Sequence, residues 1–166
     1  MRNLLNQIIE EIARPIVLLD ESFSNETISD KNLSNSRFYK CEFKNIVFDT
    51  VVFRKSEFSQ CRFQNCQILG SDLTRAEFGN TSFTSCEFKQ VDLSGSLFTN
   101  AQFSETKFKK ILLIGLILSD LKIKTTTFHD LEFSNTYPVR IHKLKKVREV
   151  SDSNSFQEIL ADFFFE

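Results

Sequence analysis

The stretch CEFKNIVFDTVVFRKSEF, residues 41–58, carries a phenylalanine at every fifth position. These residues are Phe43, Phe48, Phe53 and Phe58. An α-helix repeats about every 3.6 residues and a β-strand about every two, so neither element alone explains a period of five. The stretch therefore predicts a backbone that brings a large apolar side chain to its interior once in every five residues.

The five-residue register extends far beyond this stretch. It runs from Phe23 to Phe133 through twenty-three consecutive positions, each Phe, Leu or Ile, and the next step lands on Pro138. The position two residues before each centre is small or apolar from Ser36 to Leu131, and the other three positions carry nearly all the charge. A period that persists over this length indicates a repeat architecture.

The pentad also predicts how the chain is folded. Two inward positions separated by one outward position reproduce the alternation of a β-strand. Because five is odd, this alternation cannot continue into the next pentad unless the chain turns a corner. Repeated corners wind the chain into a coil whose interior is filled by stacked phenylalanine rings.

The residues that interrupt the phenylalanine pattern indicate the size of one coil. They recur at intervals of twenty residues, so a square coil of four pentads aligns them, whereas a triangular coil of fifteen residues scatters them. Successive coils should then pair like parallel strands, about 4.8 Å apart. The aligned residues are Leu33, Leu73, Leu93 and Leu113, together with Cys41 and Cys61, and Cys66 and Cys86.

Several pentads resemble a known family. The segments SDL (Ser71–Leu73), AEF (Ala76–Phe78) and VDL (Val91–Leu93) match the motif A(D/N)LXX of the pentapeptide-repeat proteins almost literally. The resemblance covers roughly residues 21–135 and implies an all-β fold, a right-handed quadrilateral β-helix with about six coils here and short helical caps.

Two features depart from the family pattern. The centres are unusually rich in phenylalanine, and Glu21, Glu26 and Lys31 occupy inward positions. These three residues fall in the first coil, so we expect them to escape through its open end and that coil to be the least regular. The rings expected to form the structural core are Phe43, Phe48, Phe53, Phe58, Phe63, Phe78, Phe83, Phe88, Phe98, Phe103 and Phe108.

The ends of a solenoid have to be capped, because open strand edges promote aggregation. Residues 1–15 should form a helix that Asn3 caps and that ends before Pro15. Residues 16–135 should form the β-helix, with Ile16 and Leu18 in its first coil. The apolar face of the capping helix is predicted to comprise Leu4, Leu5, Ile8, Ile9 and Ile12.

Residues 136–166 should form a C-terminal cap or dimerisation segment. Ser153 or Asn154 could cap a short helix, and Phe164 and Phe165 add more apolar surface than one cap requires. In relatives such tails mediate dimerisation, so the resemblance implies a possible homodimer, and a monomeric end cap is equally open. The apolar stripe of this helix comprises Phe156, Ile159, Leu160 and Phe163.

Four apolar residues break the outward pattern and form a candidate interface. Leu112, Ile114 and Ile117 lie at outward positions, and Leu97 lies twenty residues before Ile117. Either the C-terminal tail folds back over them or they contact a partner. The basic run Arg140–Lys146 could similarly meet phosphate or an acidic protein, or form a solvated face.

No arrangement of residues predicts catalysis, a cofactor or a metal. Neither His129 nor His142 lies at a recognisable spacing from a nucleophile, and Cys61 and Cys66 lack the CxxC spacing of a zinc site. The N-terminal segment is too polar and acidic for a signal peptide, and no apolar run is long enough to span a membrane. We therefore expect a cytoplasmic protein whose four cysteines are free, buried thiols.

The charge pattern bears on function. The best-known relatives protect DNA gyrase and topoisomerase IV from quinolones or peptide toxins through an acidic face that resembles duplex DNA. Residues 36–135 carry thirteen Lys and Arg against eleven Asp and Glu, which is the reverse of a phosphate mimic. We expect a non-enzymatic scaffold that binds an unknown protein, with no direct nucleic-acid or membrane contact. The alternative is topoisomerase protection or toxin immunity, and an enzyme ranks third.

Overall fold

The computed structural model describes residues 4–12, 14–144 and 146–164. Helix α1 (Leu4–Glu11) precedes a β-helix of six coils. A β-hairpin and helix α2 (Ser153–Phe164) follow the last coil.

Each coil contributes three short strands, and a fourth side closes the square. The first coil contains β1 (Val17–Leu19), β2 (Ser22–Ser24) and β3 (Thr27–Ser29). The second contains β4 (Arg37–Tyr39), β5 (Glu42–Lys44) and β6 (Val47–Asp49). The third contains β7 (Glu57–Ser59), β8 (Arg62–Gln64) and β9 (Gln67–Leu69).

The later coils repeat this order with a longer third strand. The fourth coil contains β10 (Glu77–Gly79), β11 (Ser82–Thr84) and β12 (Glu87–Asp92). The fifth contains β13 (Leu97–Thr99), β14 (Gln102–Ser104) and β15 (Lys107–Leu112). The sixth contains β16 (Ile117–Ser119), β17 (Lys122–Lys124) and β18 (Thr127–Glu132), and the hairpin strands are β19 (Val139–Lys143) and β20 (Lys146–Val150).

Strands of successive coils form three sheets. Face A contains the strands β1, β4, β7, β10, β13, β16, β19 and β20, in that order. Face B contains β2, β5, β8, β11, β14 and β17, and face C contains β3, β6, β9, β12, β15 and β18. The pairing is parallel and in a register of twenty residues, as between Phe58 and Phe78. Face D, the fourth side, is linked by bridges between Asn32, Val52, Asp72 and Asp92. In the later coils the third strand continues past its corner onto face D, as at Asp92 and Leu112. The predicted right-handed quadrilateral β-helix with four pentads per coil is confirmed.

The corner of each pentad is a residue in the left-handed region. Every fifth residue of the six coils, from Asp20 to Asp130, has a positive φ, which reaches 60° at Asn35 among the non-glycine residues and 66° at Gly95. Asn, Asp and Gly occupy most of these corners, and they tolerate this conformation better than other residues do. This backbone turn lets the strand alternation restart with the same inward face in each pentad.

The interior consists of stacked phenylalanine rings, as the sequence predicts. On face A the ring of Phe58 lies 4.7 Å from that of Phe38 and 5.0 Å from that of Phe78, with interplanar angles of 5° in both pairs. All eleven core phenylalanines named from the sequence are buried. Where Leu and Ile replace Phe in the last two coils, an apolar cavity of about 20 Å³ is left among their side chains.

The small inward residues have a second role that their size alone does not reveal. Their hydroxyl or thiol groups donate hydrogen bonds to carbonyl oxygens of the preceding coil, as Thr81 does to Phe58 (2.9 Å) and Cys61 to Phe38 (3.3 Å). The four cysteines are free and buried. Hydrogen bonding to Cys41, together with burial, raises the pKa of the Cys61 thiol, so this thiol stays protonated.

The N-terminal cap differs from the prediction. Glu26 does not escape to solvent: it is buried, and its carboxylate accepts hydrogen bonds from the backbone N–H groups of Leu5 (3.0 Å) and Asn6 (3.1 Å). The acidic side chain thus satisfies the open donors at the start of α1. Lys31 forms an ion pair with Glu10 of the same helix (3.5 Å).

These contacts correct two further expectations about the N-terminal end. The first coil has the same three short strands and corners as the second and third coils, so the prediction that it is the least regular is wrong. Leu5 and Ile9 are buried, whereas Leu4 and Ile12 remain exposed, because α1 presents a narrower face to the coil than expected. The proposed cap Asn3 lies outside the described residues.

The C-terminal end contains a hairpin that the pentad pattern did not predict. After the register ends, β19 still joins face A beside β16, with Leu118 paired to Ile141, and β20 pairs antiparallel to β19. The cap of α2 is Asp152 rather than Ser153 or Asn154, since its carboxylate accepts the N–H groups of Asn154 (3.0 Å) and Ser155 (2.9 Å). The first residue of α2 is thus set by the hydrogen bonds of Asp152, which the residue types alone do not predict.

Candidate interaction surface

The outward side chains form columns that run along the rod. Each strand exposes the residues on either side of its buried centre, and the twenty-residue register aligns them from coil to coil. One such column on face A comprises Val17, Arg37, Glu57, Glu77, Leu97, Ile117 and Arg140.

Face A has apolar outward residues at both ends. At the C-terminal end Leu97 and Ile117 are direct partners and are half-buried. At the N-terminal end Val17 and Leu19 have 58% and 59% of their surface exposed, and Leu19 pairs with Tyr39. The five-residue pattern of the buried centres does not reveal this second pair, but a step of twenty residues back from the outward residue Arg37 leads to Val17.

The four residues of the predicted interface fall into different columns on the two sides of the corner at Gly115. Leu112 lies in a different column, between Asp92 and Glu132. Ile114 is half-buried and precedes the corner at Gly115. Only Leu97 and Ile117 share a column, because positions 112 and 114 belong to face D whereas position 117 opens face A.

Helix α2 does not cover this apolar column. It packs against β18 and β20, at the end of the last coil. The ring of Phe156 lies 5.5 Å from that of Phe128 and 5.6 Å from that of Phe133, and Phe164 is also buried. Phe163 is half-buried, and Phe165 lies outside the described residues. Helix α2 therefore lies against the end of the last coil and the hairpin rather than along the Leu97–Ile117 column, and whether it also mediates dimerisation stays a prediction.

The basic run lies in the hairpin. Arg140, Lys143, Lys146 and Arg148 are exposed, and Arg140 pairs with Glu149 across the antiparallel ladder. Lys145 lies outside the described residues.

A second basic feature was not recognised from the sequence. On face C, Lys89, Lys109 and His129 are successive partners in one column, and all three are exposed. Their spacing of twenty residues is the signal that could have revealed them.

The ion pairs lie elsewhere. Among the described residues, salt bridges join residues of α1 and the first three coils. The shortest of these contacts joins Arg54 to Asp72 at 2.6 Å. Burial opposes ionisation of Asp72, but hydrogen bonds from Thr74 and the Arg54 guanidinium outweigh it and hold the pKa of this carboxyl below its usual value.

The described residues bring together no group of His, Cys, Asp and Glu that could hold a metal ion. Within the same residues, no helix is both long and apolar enough to cross a membrane. The arrangement that the structure does build is a set of outward columns held in a twenty-residue register.

Comparisons with known proteins agree with this architecture. Two family models described as pentapeptide repeats match residues 32–67 and 63–107. A search among curated proteins finds no match.

Several solved structures are similar. One is a pentapeptide repeat protein from the thylakoid lumen of Arabidopsis thaliana, with 14% identity over 83% of this chain and 76% of that chain and a TM-score of 0.36. Another is Rfr23 from the cyanobacterium Cyanothece 51142, with 12% identity over 80% and 94% of the two chains and a TM-score of 0.38. A third is a trypsin-treated form of QnrB1, a plasmid-mediated fluoroquinolone resistance protein, with 11% identity over 73% and 92% and a TM-score of 0.31. The matched repeats and the twenty-residue coil identify residues 32–107 as pentapeptide repeats, wound into the quadrilateral β-helix that the sequence predicts.

Proposed function

We propose that the chain is a non-enzymatic scaffold that binds another protein through face A. The observation that carries this proposal is the presence of apolar outward residues at both ends of that face, Val17 with Leu19 and Leu97 with Ile117. Apolar groups that project from an otherwise polar surface mark contact sites, since their burial against a partner is favourable.

The rigidity of the coil stack supports the same proposal. The strands of face A are held in register by parallel pairing and by the stacked rings beneath them. A partner therefore meets side chains whose positions are already fixed, which lowers the entropic cost of binding.

Affinity capture from the source cell, with quantitative mass spectrometry, tests this proposal. One variant combines Val17→Ser with Leu19→Ser and another combines Leu97→Ser with Ile117→Ser. The matched control combines Val52→Ser with Leu112→Ser on face D, where both residues are half-buried. We expect a protein that the wild type and the control retain and that both face A variants lose. Capture of the same proteins by all four chains would contradict the proposal.

Topoisomerase protection is a more specific form of scaffold function. The charge balance of the coils does not favour it, because lysine and arginine outnumber the acidic residues between Ser36 and Asn135. A gyrase supercoiling assay with a quinolone, in the presence and absence of the purified chain, tests it directly. Restored supercoiling would replace the general proposal with this one.

A further inference from the structure

The last three coils concentrate unpaired positive charge on faces B and C. In the column Lys89–Lys109–His129, each residue is the direct ladder partner of the next. Neighbouring strands lie about 4.8 Å apart, so like charges in this position repel and destabilise the fold. No salt bridge of the described residues involves either lysine of the column.

Further lysines surround this column. Together they form what we call the basic surface, in which every side chain is exposed. The fifth coil alone presents three lysines within four residues. The basic surface comprises Lys89, Lys107, Lys109, Lys110, Lys122, Lys124 and His129.

Acidic residues on the same faces reduce this charge only in part. Glu87 pairs with Lys107 in the ladder of face C, and Asp130 follows His129. Glu105 accepts a hydrogen bond from Ser85 (2.9 Å). Residues 82–90, 102–110 and 122–130 build faces B and C in these coils, and they carry six lysines and three carboxylates. The other acidic residues of the same coils lie outside these segments, so the positive excess belongs to the two faces and not to the coils as a whole. These acidic residues are Glu77, Asp92, Asp120 and Glu132.

An apolar groove adjoins the basic surface. It lies between β18 and α2, has a volume of about 470 Å³ and is lined in part by Phe128, His129, Leu160 and Ala161. Phe128 is half-buried here, whereas most phenylalanines at the centres of the coils are buried. His129 belongs to both features, so the groove is continuous with the basic column.

We propose that the basic surface and this groove together bind an extended acidic segment of a partner protein, with one large apolar side chain of that segment in the groove. Carboxylates of the segment would relieve the repulsion between Lys89 and Lys109, so the two surfaces would be complementary in charge. The apolar side chain would cover the exposed part of Phe128, as anchor residues do in other interfaces.

The observations favour a protein over a nucleic acid. The whole chain has a formal net charge of −1 and a pI near 6.2, whereas nucleic-acid-binding domains are strongly basic. The groove separates the two ligands, because a peptide can place an apolar side chain in it whereas a phosphate backbone has no group to fill it. The inference rests on the proposed function only in taking the partner to be a protein.

Fluorescence anisotropy with labelled synthetic peptides tests this inference in vitro. The main probe is a peptide in which Glu alternates with Ser and which ends in Leu, and a second probe ends in Ser instead. A single-stranded oligonucleotide of equal charge is the third. We expect the first peptide to bind most tightly, and tighter or equal binding of the oligonucleotide would overturn the inference.

Variants of the full chain assign the binding to the site. Lys89→Gln with Lys109→Gln should weaken binding of the first peptide roughly tenfold, because two attractive charges are lost. The matched control, Lys44→Gln with Lys55→Gln, removes the same charge from exposed positions in the second coil and should bind like the wild type. Equal weakening by both variants would reduce the effect to net charge and overturn the inference.

A third variant tests the groove. Ala161 is exposed on α2 and lines the groove, so Ala161→Phe should block it without disturbing the coils. This change should remove the advantage of the peptide that ends in Leu over the peptide that ends in Ser. An advantage that persists would overturn the role of the groove. These peptide experiments do not involve face A, so their failure would leave the scaffold proposal standing. Conversely, unchanged capture by the face A variants would contradict the scaffold proposal but would leave the peptide-binding inference standing.

Discussion

Replacing Phe83 by Ala should be among the most damaging single changes in this chain. Phe83 lies in the middle of the rod and has only 1% of its surface exposed. Its ring stacks on Phe63 at 4.8 Å and on Phe103 at 5.2 Å. It also meets the rings of Phe78 and Phe88 edge-on, at 5.7 Å and 5.2 Å.

These contacts set the magnitude of the loss. Truncation of a buried Phe to Ala typically costs about 3–5 kcal/mol, and each aromatic pair adds about 0.5–1.5 kcal/mol beyond simple burial. With several rings in contact, we expect the upper part of that range, about 4–5 kcal/mol. In a chain of this size such a loss lowers the melting temperature by roughly 8–20 °C.

Urea denaturation followed by circular dichroism measures this loss of stability. The control is Phe83→Leu, since the same column of face B already ends in the aliphatic residue Ile123. Leu fills most of the space, so this variant should lose less than half as much stability as the Ala variant. A loss below about 1 kcal/mol for Phe83→Ala would refute the claim that stacked rings hold the coils together.

Further changes test the ends and the corners. Glu26→Gln removes the carboxylate charge that accepts hydrogen bonds from two N–H groups of α1, so thermal melting should show a loss of about 1 kcal/mol in the free energy of unfolding. The control Glu21→Gln changes an exposed residue of the same coil and should show no loss. Thr50→Asn places a residue that tolerates φ of 55° at a corner now held by a β-branched one, and should raise stability by about 0.5–1 kcal/mol in the same assay. The hydrogen bond from the N–H of Ser155 lowers the pKa of Asp152, so the ionised carboxylate stabilises the start of α2, and this stabilisation is lost as the pH falls through the pKa of the carboxyl group. Hydrogen exchange at the start of α2 should show this dependence on pH in the wild type and lose it in Asp152→Asn, and an unchanged profile would contradict the capping role. Light scattering of the full chain and of a chain that ends at residue 151 tests the predicted homodimer: a dimer that becomes monomeric on truncation supports it, and a full-length monomer at tens of micromolar shows that α2 is only a cap.

The sequence predicted the coil because the signal for it is repeated. Each inward position is set by the same geometry, so residues such as Phe58 and Phe78 reinforce one another over six coils. The end caps lack this redundancy. Whether Glu26 points to solvent or to α1 depends on one local set of hydrogen bonds, and the pattern of the later coils carries no information about it.

The surface was predicted less well than the core for a similar reason. Outward positions are not constrained by packing, so the column of Lys89, Lys109 and His129 emerges only when residues twenty apart are compared. The hairpin was missed because β19 joins face A in a shifted register, twenty-three residues after β16. The five-residue pattern ends at Phe133 and makes no prediction for the residues that follow.

The twenty-residue coil underlies every column and surface described above, and spin-label distances measure it most directly. Ser22, Gln102 and Lys122 are exposed and share one outward column of face B. With about 4.8 Å between successive coils, the Cα distance from position 22 should be about 19 Å to position 102 and about 24 Å to position 122. Pulsed electron paramagnetic resonance should show these two distances differing by about one coil spacing. If the distance to position 122 does not exceed the distance to position 102 by about one coil spacing, the twenty-residue coil is contradicted. The alignment of the basic column and of the apolar residues on face A would then be contradicted as well.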